Sequence, residues 1–328
     1  MTDWLDRTVE EALEPALPIC DPHHHLWDHP NHRYLLEELL SDTGSGHNVV
    51  STVFVECMSE YDDDGPEAVR PVGETRFVHD IAEQCAAAGH TTNVAAAIVS
   101  FADLTLGDAV TPVLEAHVGA SSRFRGIRHA AGWDASESIR NSHTHPSAGL
   151  YADRAFRMGF QRLGELGLSF DAWLYHPQID DVTALAHAFP DVTIILDHVG
   201  GPLGIGPYTE KQAEIFPLWR RSIDDLARCE NVFVKLGGLA MKLNGFDWHK
   251  QPAPPSSAAL ADANRSYYLH CIDAFGPHRC MFESNFPVDK VSTSYTVLWN
   301  AFKRITSDFS ADDRSALFRD SAHRAYRI

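Results

Sequence analysis

Short apolar runs rich in Val, Ile and Phe recur along the chain, separated by longer stretches whose apolar residues fall at helical spacing. The runs are LPICD (17–21), VVSTVFVEC (49–57), TNVAAAIVSF (92–101), RFRGIRH (123–129), LSFDAWLYH (168–176), VTIILDH (192–198), NVFVKLGG (231–238) and RCMFESN (279–285). Strands alternating with helices predict an α/β fold with a parallel sheet, and eight is the number that closes a (β/α)8 TIM barrel. Phe77, Ile81, Cys85 and Ala88 share one helical face after Gly73 and stop at Gly89. Further helices are expected at 106–118, 151–166, 180–189, 217–228, 265–275 and 295–306, with a last one capped by Ser310. Pro217 would take a first helical position, where its missing N–H costs nothing. Two long connections, 132–149 and 237–264, follow the fourth and seventh runs and are expected to wall a substrate pocket.

The length of 328 residues suits one barrel, so a single domain over 1–328 is expected, with neither an internal repeat nor a linker. The rival open sheet lacks its signature, because no G-x-G-x-x-G opens a helix after the first run. Forty-five acidic against 27 basic residues give a net charge of -18, which repels phosphate backbones and anionic lipid. Nucleic acid and membrane partners are therefore not expected. A small molecule is, and assembly into a homo-oligomer stays open. The six cysteines form no C-x-x-C, and the acidic start lacks the apolar stretch of a signal peptide. Those features point to a reducing compartment, the cytoplasm.

His23 and His25 alternate at a strand end, so their imidazoles face one side while His24 faces the other. Two imidazoles on one face can share a divalent metal. His129, His176 and His198 also stand at ends of runs. A parallel barrel brings such ends to one face, where imidazoles serve as ligands or as acid–base groups.

The segments DPHHHLWD, FRGIRH, LDHVGGP, NVFVKLGGL and MFESNFPV, in this order, resemble the landmarks of the amidohydrolase-2 family. The likeness is to its sugar-lactone and 2-pyrone-4,6-dicarboxylate lactonase branch, and it runs from about residue 19 onward. The resemblance implies an amidohydrolase-type barrel that hydrolyses a lactone or related cyclic ester, often carboxylate-bearing. It implies a metal pair at His23 and His25, a further ligand or substrate contact at His176, and catalytic assistance from His198. The ion would be zinc or a similar divalent metal, with a metal-free mechanism also open. Arg125 and Arg128 of the R-G-x-R motif would bind a substrate carboxylate, with Lys235 a further positive contact. The chain departs from the pattern at Asn285, where relatives carry an aspartate that binds metal and accepts the water proton; an amide does neither. Glu283, His198 or His176 could supply the base instead. Two other readings stay open: a metal-dependent decarboxylase or hydratase of the same family, and a non-catalytic ligand-binding barrel.

Overall fold

In the computed structural model, residues 2–30 and 32–328 are described. Eight parallel strands follow one another around a single sheet. They are β1 (Pro18–His24), β2 (Asn48–Val55), β3 (Asn93–Ser100), β4 (Phe124–Arg128), β5 (Ser169–Ala172), β6 (Ile194–Leu196), β7 (Val232–Leu236) and β8 (Cys280–Phe282). Each is followed by a helix: α1 (Leu36–Thr43), α2 (Val72–Ala87), α3 (Thr111–Ala120), α4 (Arg154–Glu165), α5 (Ile179–Ala188), α6 (Gln212–Leu226), α7 (Ser257–Phe275) and α8 (Tyr295–Ile305). The ring closes just past β8: Asn285 N donates to His23 O at 3.0 Å, and His25 N donates to Phe286 O at 2.8 Å. Asp21 reinforces the seam, accepting Ser284 N at 2.9 Å and the Tyr295 hydroxyl at 3.0 Å. None of these helices is long and apolar enough to cross a membrane, among the described residues.

The alternation of the strands sorts their side chains into two cores. Phe54, Ile98, Ile127, Phe170, Leu196 and Val234 point outward beneath the helices. Cys20, Val53, Val55, Ala97, Val99, Ile195 and Met281 point inward, where the C-terminal helix Ser321–Tyr326 packs against them with Ala322, Ala325 and Tyr326. Above this apolar floor the inward positions turn polar. His23, Arg128, Asp171, Asp197, Lys235 and Glu283 are all buried there.

Two helices begin earlier than their sequence pattern suggests. α6 starts at Gln212, so Pro217 lies inside the helix and not at its first position. The buried stripe Ile215, Trp219, Ile223 and Leu226 explains this, because its burial outweighs one lost backbone hydrogen bond. α7 starts at Ser257 because Ser256 caps it, accepting Ala259 N at 3.2 Å. The connection after β7 is correspondingly shorter than expected. Gly89 ends α2's exit turn at φ 76°, and Ser310 caps the next-to-last helix through Asp313 N, as the sequence suggests.

Candidate active site

His198 sits just beyond β6 in a turn where His198 and Val199 both have positive φ (54° and 48°). For a β-branched residue such a conformation is strained, and here it folds the histidine back over the barrel. Room for it comes from Gly237 and Gly238 after β7. A Cβ on Gly238 would lie 2.5 Å from His198 Cβ, and one on Gly237 would lie 2.3 Å from Glu283 Cγ. That is the physical content of the paired glycines in NVFVKLGG.

Glu283 then reaches both imidazoles. His198 Nδ1 lies 2.6 Å from Glu283 Oε1, and His23 Nδ1 lies 2.9 Å from Oε2. A carboxylate only accepts, so His198 Nδ1 carries the hydrogen and Nε2 keeps a basic lone pair. His25 is fixed the same way, with Nδ1 donating to Val55 O at 2.8 Å. Trp173 packs edge-on to His198 at a ring separation of 4.8 Å.

Around this pair lies a buried ionic layer. Lys235 Nζ is 2.7 Å from Asp171 Oδ2, 2.9 Å from Asp197 Oδ1 and 3.1 Å from His23 Nδ1. Arg128 is held by Glu56 at 2.7 Å and lies 3.5 Å from Asp197 Oδ2 and 3.4 Å from His23 Nε2. His143, from the loop after β4, caps Glu56 at 3.0 Å. Burial would raise the Glu283 carboxyl, but His198 and His23 override it and hold the group down at about 2. Glu56 is held at about 2 by Arg128 and His143 against the same burial. Asp197 is kept well below its ordinary range, chiefly by Lys235 against burial. In Asp171 burial wins over Lys235, raising it to about 6. Burial, then Lys235, lowers His23.

The structure brings together His23, His25, His198, Arg128, Lys235 and Glu283 of the residues singled out from sequence. It does not bring in Arg125, whose guanidinium donates to Ser122 O, Phe124 O and Arg327 O. Residues three apart on a strand face opposite sides, so the R-G-x-R motif could send only one arginine inward. His176 accepts Leu203 N at 3.2 Å and lines a separate cleft of about 690 Å³ with Asp180, Lys211 and Trp219, between α5 and α6. Its expected metal role with His23 and His25 therefore finds no support in its position. His129 similarly accepts Leu104 N. Asn285 turns its amide away to Asp289 Oδ1 at 3.0 Å. Sequence reasoning missed Glu56, Asp171 and Asp197; their signal was an acidic side chain at an inward position of an otherwise apolar run.

His23, His198 and Glu283 offer ligand atoms within 4.8 Å of one another and could hold a divalent metal. The charge balance agrees. Among the described residues, Glu56, Asp171, Asp197 and Glu283 face only Arg128 and Lys235 as fixed cations, and Asp197 Oδ1 and Glu283 Oε2 accept no well-aligned hydrogen bond. The donor set therefore fits a divalent ion.

Residues 20–328 match the family described as Amidohydrolase. The chain belongs to the amidohydrolase family. This amidohydrolase is 33% identical to the uncharacterised protein y4mH of Sinorhizobium fredii, over 95% of this chain and 99% of that one. It is 27% identical to an L-fucono-1,5-lactonase of Burkholderia multivorans, over 71% of this chain and 72% of the lactonase. Its fold is shared with a Burkholderia multivorans amidohydrolase crystallised with bound zinc, at TM-score 0.72 and 24% identity, covering 94% of this chain and 99% of that one.

Proposed function

We propose that this amidohydrolase opens a lactone or related cyclic ester, with His198 as general base and Glu283 as the carboxylate that orients it. The observation that carries the reading is the 2.6 Å contact between His198 Nδ1 and Glu283, which leaves Nε2 basic. Water adds to the ester carbonyl as Nε2 takes its proton; Glu283, ionised throughout, stabilises the imidazolium that forms. Arg128 and Lys235 hold positive charge beside His23, which offsets the charge developing on the carbonyl oxygen. The imidazolium then returns its proton to the departing ring oxygen, and a hydroxy acid is released. The L-fucono-1,5-lactonase relative supports this substrate class. A carboxylate on the substrate is not part of the reading, because Arg128 is already paired with Glu56 and Asp197 and Arg125 lies elsewhere.

A second reading has a divalent ion, zinc in the related Burkholderia structure, held by His23, His198 and Glu283. The excess of buried carboxylates favours it, and the ion would supply Lewis acidity and an acidified water. His198 would then be a ligand and not the base. Exchange into chelator separates the readings: activity that survives metal removal, confirmed by elemental analysis, keeps His198 as base. His198→Gln is expected to lower lactone turnover by about 10²–10⁴-fold with the circular dichroism spectrum unchanged. Undiminished turnover removes His198 from the chemistry.

A further inference from the structure

The barrel is closed from below by its own C-terminal helix, and the residue that seals it is polar. Tyr326 is fully buried, yet its hydroxyl donates to Asp171 Oδ2 at 2.6 Å. The same oxygen receives Lys235 Nζ at 2.7 Å, whereas Asp171 Oδ1 has no partner among the described residues. One oxygen thus takes both donors, tyrosine on one side and lysine on the other. Lys235 continues to Asp197 and His23, and its Nζ lies 5.5 Å from the centroid of the Tyr326 ring.

We propose that Tyr326 is a positioning residue: by fixing Asp171, which in turn fixes Lys235 against His23 and Asp197, the C-terminal helix sets the electrostatics of His23. The proposal rests on the lactone-opening reading for its activity readout alone. A hydroxyl bonded to a buried carboxylate is a charge-assisted bond that restricts where the carboxylate points. Without it, Lys235 is the one donor left on Asp171 Oδ2, the carboxylate is free to turn, and the ammonium it holds loses its fixed place. The route runs through a single carboxylate, so removing that carboxylate's charge must silence the tyrosine.

Three variants test this: Tyr326→Phe, which keeps the ring and its volume, Asp171→Asn, and the double variant. Two readouts are taken on each. One is the ring ¹⁵N resonances of His23 in the substrate-free protein, assigned by their loss in His23→Gln; the other is kcat and KM on a lactone the wild type opens. Tyr326→Phe is expected to keep its circular dichroism spectrum, shift the His23 resonances and lower kcat about tenfold with KM nearly unchanged. Added to Asp171→Asn, it should do nothing further. Unmoved His23 resonances in Tyr326→Phe, or independent losses that add in the double variant, overturn the proposal. If the wild type opens no lactone, the functional reading fails, while the resonance arm still decides the role of Tyr326.

Discussion

Asn285 occupies the place of an expected aspartate and has found a different partner. Its amide donates to Asp289 Oδ1, whose other oxygen accepts Ala240 N at 3.2 Å. Burial raises Asp289 to about 7, and a neutral donor is what such a carboxylate requires. Asn285→Asp would set two carboxylates 3.0 Å apart. It is expected to cost about 1–3 kcal/mol in denaturant unfolding and to add no lactonase activity. A gain in turnover at unchanged stability would show instead that the aspartate's role is recoverable. The substitution itself was legible in MFESNFPV, but its partner was not, because Asp289 returns to Asn285 only through the turn that follows β8. Glu283 was readable as an inward residue two places after Met281; that it would join His23 to His198 depended on a left-handed turn at His198 that no periodicity announces.

At the level of elements, His143 ties the loop after β4 to the buried ionic layer. His143 Nε2 contacts Glu56 Oε2, and the other oxygen of Glu56 holds Arg128. Loop and arginine therefore share a counter-ion. His143→Ala is expected to raise KM by up to about tenfold in steady-state assays while kcat holds, because the pocket wall loosens and the dyad does not. A fall in kcat at constant KM would place His143 in the chemistry. α6 offers a separate check: Pro217→Ala restores a backbone donor inside the helix and is expected to stabilise the protein by up to about 3 kcal/mol, read by calorimetry. An unchanged melting temperature would mean the helix is already relaxed around the proline. The loops after β4 and β7 were visible in the sequence as long connections, but their contacts are long-range pairs, such as His143 with Glu56 and Asn244 with Pro202, that no local pattern announces. Helix starts were misplaced where a buried stripe, at α6, or a serine cap, at α7, extended the element upstream of its apparent signal.

For the whole molecule, the fold was the most legible feature, because eight inward-outward alternations must all agree before a barrel closes. The charged layer inside it was only half legible: histidines at strand ends announced a site, whereas the carboxylates that set its electrostatics hid in apolar runs. That layer and the buried histidines also set acid stability. His24 is held near about 3, and His47, His117, His129 and His176 near about 4, each chiefly by burial. Their unfolded forms bind protons below the ordinary histidine value of about 6.5 while the native forms do not, so stability rises with pH over that window. Asp21, Asp171, Asp289 and Glu74, raised to about 6, 6, 7 and 8, act in the opposite sense, but the five histidines outnumber them. The melting temperature is therefore expected to climb between about pH 4 and 6.5; a flat or falling profile would contradict the buried neutral histidines. The central claim is a hydrolytic His198–Glu283 pair, and the most direct test is a comparison of wild type with Glu283→Gln on a panel of sugar lactones. Proton release would be followed beside product mass. The wild type should release one proton for each ring opened with the mass of one water gained, and Glu283→Gln should be slower by at least about a hundredfold. Carbon dioxide as product, or a Glu283→Gln variant as fast as the wild type, would contradict it.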